Sequence, residues 1–584
     1  MKPSVQGPVM VFVPQRSVPT LADSLAFEIR AAGLRVLRLA REALQGTTAR
    51  RHRPSPALDQ APVLAEIRSP LWTVLGGVKD RALTAGKVQN LRMAVRGLDG
   101  ILVPAGETFS FWKQVGRATR GRGFVAGREL REGCLISSVG GGLCQLSNAL
   151  YEAAQAAGCE IVERHAHSRV VPGSRAELGR DATVFWNYVD LRFRRASAFR
   201  IEARLTDSHL VVTLRAADAI RPDAGGCDGA APAKSAHDCT SCGQTACRRN
   251  NPDLPATEAP ATAWLVDGAR PEFVRLFQAM AKKDDALFVP ARRQGNERYA
   301  WPGGLCGQET RATLATLRRS YDLRKAGFGG TLQARALGAD ARIARHYAAR
   351  LSHLQTHAVV AQNLLPHLWL AGALQGRSFS VLMDRLPMDA LQERLDWAGQ
   401  RHPESPTLAD FRAPAQIVAA ERQALAAARQ LYTTHAGIAA LLADKAVLLP
   451  WAPVKPLPVR RGGKSVLFPA SALARKGAYA LREAVAGLDI DLIVSGAARE
   501  MPGFWGPLPV RRPGENGLPA SLAAVVLPAI VEHQPRTLLA ALAAGIPVIA
   551  TPACGLTPRE GLILVPEDDA AALRAALVAV LASA

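Results

Sequence analysis

The sequence is poor in the features that mark several common classes of protein. Aromatic residues make up only 5% of its 584 residues. Basic residues and aromatic residues do not interleave in any stripe, which argues against nucleic-acid recognition. No uninterrupted apolar run reaches about 18 residues, so no transmembrane helix is predicted. The opening stretch MKPSVQGPVMVFVPQRS lacks a small-residue cleavage site and does not predict a secretory signal.

Cysteine is also sparse, whereas positive charge is abundant. Nine cysteines in a chain of this length do not indicate a disulfide scaffold. Lysine and arginine number 72 against 50 acidic residues, and the formal net charge of +22 predicts an anionic partner. Residues 521–584 hold three arginines against five acidic residues, so the basic excess lies upstream. We expect a cytoplasmic protein in peripheral contact with an anionic membrane at its inner face.

The length and the apolar patterns predict a multidomain α/β and α+β protein. Short apolar runs alternate with helical patterns after residue 264, including a helix over residues 417–432, and the same rhythm restarts at residue 464. This alternation is typical of parallel sheets and predicts two Rossmann-like α/β halves. The predicted segments are a βαβ piece with a basic linker (1–56), a mixed α+β domain (57–215), a cysteine-containing linker (216–263) and the two halves (264–433 and 434–584).

Three local patterns refine the N-terminal part of this scheme. In the βαβ piece, a helix over residues 20–32 is expected to stop at Gly33 before the strand RVLRLA. Residues 63–86 are predicted to be helical. The segment FRIEARLTDSHLVVTLRA contains two alternating runs around a polar turn and predicts a β-hairpin.

A glycine triplet stands directly before a helix that starts with a cysteine. Gly140, Gly141 and Gly142 lead into Cys144, and the helical pattern ends at Gly158. Unpaired N–H groups and the helix dipole in the first turn favour a thiolate. The glycine N–H groups are suited to an anion or an oxyanion. The alternative is a small core cysteine after a tight turn, and the sequence leaves both interpretations open.

An acidic residue and two histidines follow that helix at alternate positions. Glu163, His165 and His167 lie in a β-like run, so their side chains are expected on one face. A histidine close to Cys144 would serve as its general base. We therefore predict Cys144, His165 and His167 as catalytic residues and the three glycines as binding residues.

Several long motifs in this region carry a family resemblance. They are FSFWKQVGRATRGRGF (residues 109–124), GGGLCQLSNALY, IVERHAHS and DATVFWNYVDLRF (residues 181–193). In this order they resemble the VanW family, named after a protein of vancomycin-resistance gene clusters. The resemblance covers residues 88–215 and implies a link to the bacterial cell envelope, but it supplies no mechanism.

The linker contains a cluster of potential metal ligands. Cys239 and Cys242 stand in C-x2-C spacing, Cys247 follows and Cys227 lies upstream. Four soft ligands in a segment without its own core predict a zinc or iron–sulfur site. Cys306 is a conceivable distant ligand. The alternative is a set of free thiols in a flexible linker.

The C-terminal half carries a second resemblance. The stretches KSVLFPASALARKGAYALREAV, AAVVLPAIVEHQPRTLLAALAAGIPVIATPACGL and LILVPEDDAAALRAALVAVL resemble retaining GT-B glycosyltransferases that use nucleotide-sugar donors. The resemblance implies that Lys476 and Glu532 hold the donor. It also implies that the helix starting at Pro535 directs its N–H groups at the donor diphosphate without a metal.

Two departures from that family leave the function open. Ala540 replaces the usual second glutamate, and Ser471 replaces the usual arginine, for which Arg475 is a conceivable substitute. The acceptor-side histidine of the family is undecided among His353, His357 and His367. The hypotheses are a glycosyltransferase acting on an envelope saccharide or lipid-linked acceptor, a thiol-dependent enzyme centred on Cys144, and a non-catalytic binding or sensing protein with a degenerate glycosyltransferase domain.

Overall fold

The computed structural model describes most of the chain, in two compact units that comprise residues 1–260 and 261–584. The described residues are 21–45, 49–72, 78–131, 134–166, 181–218, 261–292, 297–325, 330–497, 499–513 and 517–583. The second unit starts three residues before the predicted boundary at residue 264 because its first strand begins at residue 261.

The first unit contains helices and mostly antiparallel strands. Its helices are α1 (Leu21–Gln45), α2 (Val78–Val95), α3 (Phe111–Val115) and α4 (Cys144–Ala156). Its strands are β1 (Val63–Pro70), β2 (Ile101–Val103), β3 (Thr108–Ser110), β4 (Ala126–Arg131), β5 (Cys134–Val139), β6 (Glu160–Glu163), β7 (Arg192–Arg194), β8 (Phe199–Leu205) and β9 (His209–Arg215).

Three sheets organise these strands, in the orders β1-β9-β8-β2, β3-β7-β6 and β4-β5. The predicted hairpin is confirmed, since β8 and β9 pair antiparallel up to Leu205 opposite Leu210. The core between the sheets contains Phe109, Phe193 and Phe199, whose neighbouring ring centroids lie 4.7 and 5.9 Å apart. This unit is the predicted mixed α+β domain.

The N-terminal prediction needs correction. Helix α1 continues through Gly33 to Gln45, so RVLRLA is helical and no βαβ piece forms from it. A single glycine costs a helix about 1 kcal/mol relative to alanine, and that cost does not end it. The strand predicted at MVFV lies outside the described residues. The helix predicted over residues 63–86 was partly wrong as well, because Val63–Pro70 is strand β1 paired with β9.

The second unit is built from strands that alternate with helices. Its strands are β10 (Ala261–Leu265), β11 (Ala286–Val289), β12 (Gln308–Arg311), β13 (Gln355–Ala361), β14 (Ser378–Met383), β15 (Gln430–Thr433), β16 (Ala446–Leu448), β17 (Arg460–Phe468), β18 (Asp491–Val494), β19 (Val510–Arg511), β20 (Ser521–Leu527), β21 (Val548–Ala550) and β22 (Leu562–Leu564). Its helices are α5 (Pro271–Met280), α6 (Thr313–Arg324), α7 (Gly330–Ala348), α8 (Leu365–Leu370), α9 (Met388–Arg401), α10 (Ala415–Ala427), α11 (Ala436–Leu441), α12 (Ala478–Ala484), α13 (Arg536–Ala543) and α14 (Ala570–Ala582).

Two parallel sheets form the two halves of this unit. Their strand orders are β12-β11-β10-β13-β14-β15-β16 and β19-β18-β17-β20-β21-β22. The order reverses between β10 and β13 in the first sheet and between β17 and β20 in the second. Open α/β sheets bind ligands outside the carboxyl ends of their strands at such switch points. The predicted pair of Rossmann-like halves is confirmed, and its topology indicates where a ligand site should be sought.

The division between the halves falls later than residue 433. Strand β16 pairs with β15 and completes the first sheet, so the first half extends at least to Leu448. The helix expected to reach Tyr432 ends at Ala427, and Tyr432 belongs to β15 because its side chain packs in the apolar core of the sheet. Within the described ranges, no helix combines the length and the apolarity needed to cross a membrane.

Candidate functional site

The glycine loop (residues 140–142) connects β5 to α4 in the first unit. Gly142 has a φ of 99°, and a Cβ at this position would overlap the side chain of Lys87. A Cβ at Gly141 would overlap the backbone of Gly127. The protein's own atoms therefore fill the space beside these two residues, and close packing is sufficient to require glycine there.

Cys144 is the first residue of α4 and is partly exposed. Its Sγ lies 3.8 Å from Thr183 Oγ1 and 4.0 Å from the carbonyl oxygen of Val184. No hydrogen bond joins Cys144 to His165, although the structure describes both residues. His167 lies outside the described residues. The predicted thiol–histidine pair therefore stays a prediction.

Glu163, at the end of β6, is the centre of a network of ion pairs. Its carboxylate accepts hydrogen bonds from Arg38 at 2.7 and 2.9 Å and from the N–H of Asp190 at 3.1 Å. His165 Nε2 lies 3.2 Å from Glu163 Oε1, and its side chain is half-exposed. Burial raises the pKa of Glu163, but hydrogen bonds from His165 and Arg38 outweigh burial and lower that pKa to about 2. Glu163 thus holds α1 on the first unit.

In the second unit, Lys476, in the short turn between β17 and α12, binds Glu532 in the loop after β20. Lys476 Nζ lies 2.7 Å from Glu532 Oε2 and 3.1 Å from the carbonyl oxygen of Val531. Glu532 Oε1 accepts hydrogen bonds from the N–H groups of His533 at 2.8 Å and Gln534 at 2.7 Å. Burial raises the pKa of Glu532, but the charge and hydrogen bond of Lys476 together with these N–H groups bring it below its usual value. The structure brings together the two residues that the sequence assigned to the donor.

The positions that depart from the glycosyltransferase pattern have other roles. Ser471 packs tightly against Gly496, where a Cβ would overlap it. The guanidinium of Arg475 lies 4.7 Å from the centroid of the Phe411 ring. Ala540 is nearly buried within α13. Ser471 and Ala540 thus occupy packed positions, and neither has an ionisable side chain.

A cleft of about 720 Å³ opens between the two halves at the carboxyl ends of the strands. The helix expected at Pro535 begins one residue later, at Arg536, which lines this cleft. The acidic lining residues are Asp267, Asp340 and Asp384. The basic lining residues are Arg270, Arg298, Arg319, Arg385, Lys455 and Arg536. Because basic residues outnumber acidic ones, the cleft is suited to an anionic ligand.

Sequence reasoning missed the polar residues that follow the first sheet's central strands. Asp267, two residues after β10, binds Arg319 at 2.6 and 2.9 Å and accepts a hydrogen bond from Asn363 at 2.7 Å. Burial, with the nearby charge of Asp267, raises the pKa of Asp340 to about 6. A polar residue just after a buried apolar run was the signal in the sequence, since Asp267, Asn363 and Asp384 all follow such runs.

Another missed residue is His533, which connects the two halves beside the cleft. Its Nε2 accepts a hydrogen bond from the N–H of Leu386 at 3.1 Å. Burial, helped by the proximity of His435, lowers the pKa of His533 to about 3, so its imidazole is neutral and able to accept.

The three acceptor-side candidates, His353, His357 and His367, are not among the described residues that line the cleft. His357 lies near the amino end of β13, and its Nδ1 is 2.9 Å from Ser378 Oγ. The switch point is at the carboxyl end of the strand, so His357 lies away from it. Burial lowers the pKa of His367, on α8, to about 4.

The predicted metal ligands Cys227, Cys239, Cys242 and Cys247 lie outside the described residues. Within the described part of the chain, no group of three or more His, Cys, Asp or Glu side chains is arranged to hold a metal ion. Burial raises the pKa of Cys306, the distant ligand considered above, to about 12. The zinc or iron–sulfur site therefore stays a prediction.

Two known protein families match parts of the sequence, one in each unit. The family described as VanW like protein matches residues 86–215, and the family described as Glycosyl transferases group 1 matches residues 515–583, which include Glu532. The uncharacterized protein YoaR of Bacillus subtilis (strain 168) is 37% identical over 133 residues, 22% of this chain and 43% of that protein. The vancomycin B-type resistance protein VanW of Enterococcus faecalis is 33% identical over 139 residues, 23% of this chain and 50% of that protein. The chain thus spans half or less of the length of these curated relatives.

The chain is also similar to solved structures at low sequence identity. A sucrose-phosphate synthase from Thermosynechococcus elongatus is 15% identical with a TM-score of 0.39, over 55% of this chain and 90% of that one. HepE of Anabaena, solved with UDP and glucose, is 12% identical with a TM-score of 0.33, over 55% of this chain and 89% of that one. The fold assignment depends on the two parallel sheets themselves. By the two family matches, the chain contains a VanW-like domain at residues 86–215 and, towards its C-terminus at residues 515–583, a group 1 glycosyltransferase domain.

Proposed function

We propose that the second unit transfers a sugar, with retention of configuration, from a nucleotide-sugar donor to an envelope saccharide or a lipid-linked acceptor. The observation that supports this proposal most strongly is the 2.7 Å ion pair between Lys476 and Glu532, of which Glu532 lies in the loop after β20. This loop adjoins the switch point of the second sheet, where ligands of such folds bind. Glu532 itself lies within the region matched by the group 1 family.

The charge arrangement suits a diphosphate leaving group. When the glycosidic bond of the donor breaks, negative charge develops on the departing diphosphate and has to be stabilised. The ammonium group of Lys476, the guanidinium of Arg536 and the N–H groups in the first turn of α13 can supply that stabilisation without a metal ion. Arg385 adds positive charge from the first half, and Lys455 adds it from the segment that connects the two sheets.

Ala540 shapes the expected specificity. The methyl group of Ala540 cannot accept hydrogen bonds from the donor ribose as a glutamate would. Donor affinity should therefore depend mainly on the diphosphate contacts, with weak discrimination between ribose and deoxyribose. The proposal accordingly predicts similar affinity for a nucleoside diphosphate and for its 2′-deoxy analogue.

The acceptor part of the proposal comes from the VanW-like domain. One relative of that domain is a vancomycin B-type resistance protein, which favours an acceptor of the bacterial envelope. The proposal keeps the expected cytoplasmic location at the inner membrane face, where a lipid-linked acceptor would be presented.

A matched pair of lysine variants tests the donor site. Lys476→Ala removes the ammonium group beside Glu532, whereas Lys464→Ala removes one from an exposed pair with Asp489 that is also 2.7 Å long. Nucleotide-sugars are screened against the full chain by thermal shift, and the best donor is titrated by calorimetry. We expect Lys476→Ala to weaken binding at least tenfold and Lys464→Ala to leave it unchanged. Absence of binding by the wild-type protein, or equal losses in both variants, would contradict the proposal.

A second candidate, a non-catalytic binding protein, is favoured by Ala540 and Ser471. It predicts donor binding without transfer or hydrolysis. Release of nucleoside diphosphate during a long incubation with the bound donor would exclude it. The anomeric configuration of the product, followed by NMR, tests the retaining mechanism, and an inverted product would remove that part of the proposal.

A further inference from the structure

The charged side of helix α1 packs against the rest of the first unit. Arg38 binds Glu163 at 2.7 Å, and Glu42 forms an ion pair with Arg192. Glu42 is almost completely buried by these contacts, and Arg35 donates to a backbone carbonyl at 3.4 Å. The polar side of α1 is therefore occupied by the protein itself.

The opposite side of α1 carries large apolar side chains that are open to solvent. Six of them are between 47% and 87% exposed, namely Leu25, Ile29, Val36, Leu37, Leu39 and Leu44. At about 100° per residue these six side chains fall within about 160° of arc, and we call them the apolar stripe. The helix of 25 residues is about 37 Å long, so the stripe extends over much of that length. Exposed apolar surfaces of this kind mark contacts with proteins or membranes.

Basic residues border and follow the stripe. Arg30 and Arg41 are exposed on α1 between the apolar side and the side that faces the protein, and Arg50, Arg51 and Arg53 are exposed just after the helix. Residues 21–53 hold seven arginines against three acidic residues. An apolar face with flanking arginines is typical of helices that lie in the headgroup region of an anionic bilayer.

We propose that α1 is an interfacial helix, with its apolar stripe at the acyl boundary and its arginines at the phosphates of anionic lipids. If the stripe packed against the same stripe of a second copy of the chain, Arg30 and Arg41 would lie close to the arginines of that copy. The repulsion between these like charges favours a lipid surface as the partner of the stripe. The inference rests on the proposed function for the lipid-linked acceptor. It deepens that proposal by naming the helix that contacts the lipid surface. Vesicle binding by α1 does not itself require a donor.

The test is flotation of the full chain with vesicles of phosphatidylcholine alone or with about one third phosphatidylglycerol. We expect at least tenfold tighter binding to the anionic vesicles, decreasing as salt is raised. Ile29→Glu with Val36→Glu should reduce binding at least tenfold. The matched control is Leu314→Glu with Leu317→Glu, at α6 positions that are 83% and 60% exposed. It should bind as the wild-type protein does.

A second variant separates the arginines from the stripe. Arg30→Gln with Arg41→Gln should weaken binding to anionic vesicles about threefold or more and leave binding to neutral vesicles unchanged. All variants must keep the thermal unfolding profile of the wild-type protein, which the exposure of these side chains allows.

Three results would overturn the inference. They are equal binding to both kinds of vesicle, retention of binding by the Ile29→Glu, Val36→Glu variant, and conversion of a dimer to a monomer by that variant without a change in flotation. The last result would assign the stripe to a second copy of the chain. Donor binding is measured on the same proteins without vesicles. A protein that binds vesicles but no donor would contradict only the proposed transferase, and one that binds a donor but no vesicles would contradict only this inference.

Discussion

Arg536 Nη2, at the first position of α13, lies 2.7 Å from Glu272 Oε2 on α5, so an ion pair joins the two halves of the second unit beside the cleft. Glu272 is buried and also accepts the N–H of Ala452 at 2.7 Å. The guanidinium of Arg536 lies 5.4 Å from the centroid of the Trp451 ring. The first half thus holds the arginine that the proposed mechanism directs at the donor diphosphate.

Neutralising Glu272 should strengthen diphosphate binding. In Glu272→Gln the amide oxygen can still accept the N–H of Ala452, but Arg536 loses its charged partner. We expect the affinity for UDP to rise about fivefold, or about 1 kcal/mol, in a calorimetric titration. Glu393→Gln, an exposed position on α9, is the control and should have no effect. Weaker binding by Glu272→Gln would show that the ion pair positions Arg536 instead of competing for it.

His533 should make the stability of the second unit depend on pH. Burial lowers its pKa to about 3 in the folded protein, whereas an unfolded histidine titrates near 6.5. The unfolded chain therefore takes up a proton first, so the contribution of the neutral imidazole is complete above about pH 6.5 and is lost as the pH falls towards 3. Thermal unfolding should show a falling midpoint over this range, with a shallower slope in His533→Asn. An unchanged slope would contradict the assignment, and His209→Asn in the first unit is the control.

Two neighbouring arginines on α6 should differ sharply in their effect on stability. Arg319 is 3% exposed and binds Asp267 and Asp340, whereas Arg318 points to solvent. Arg319→Met leaves the largely buried carboxylates of Asp267 and Asp340 without the guanidinium that binds them and should cost about 3–5 kcal/mol of unfolding free energy. Arg318→Met should change it by less than about 0.5 kcal/mol. Denaturant unfolding compares the two, and equal effects would mean that the buried network contributes little.

The glycine loop gives a prediction for the first unit. Gly142→Ala would place a methyl group against Lys87 in a left-handed backbone conformation, and we expect a loss of about 1–3 kcal/mol. Gly121→Ala has open space around the new methyl group and no positive φ, so it should be nearly neutral. Thermal unfolding of the two variants would distinguish them. A neutral Gly142→Ala would mean that packing does not explain this glycine.

Alkylation tests the thiol hypothesis. Burial raises the pKa of Cys159, Cys306 and Cys554 to about 12, which keeps them protonated, whereas Cys144 is partly exposed. Among these four, iodoacetamide at about pH 8 should therefore label Cys144 first, as measured by peptide mass spectrometry. A thiol-dependent enzyme further requires fast labelling near neutral pH. A Cys144 that titrates at or above about 8.5, the ordinary value for cysteine, would remove the catalytic hypothesis.

Local patterns in the sequence were sufficient for much of the fold. The apolar runs of the second unit correspond to its strands, because a buried parallel strand needs apolar residues on both faces. The alternating residues of β8 and β9 likewise specified a hairpin. The family resemblance assigned both Lys476 and Glu532 to the donor, and the structure shows that they form an ion pair. Gly33 misled the N-terminal prediction, since α1 is held by long-range ion pairs such as Arg38–Glu163 that no local pattern contains.

Only the tertiary structure decided which residues share a site. Glu163 was expected only to share a strand face with His165 and His167, and its carboxylate binds an arginine 125 residues earlier in the chain. Two ion pairs join residues that are far apart in sequence, Asp267 with Arg319 and Glu272 with Arg536. These residues meet because parallel strands and the helices that follow them converge at one edge of a sheet. Periodicity reports which face of an element is apolar, whereas the partner of each charged side chain is set by how distant elements pack together. For the same reason, the sequence specified the apolar residues of α1, and only the structure showed that they face solvent.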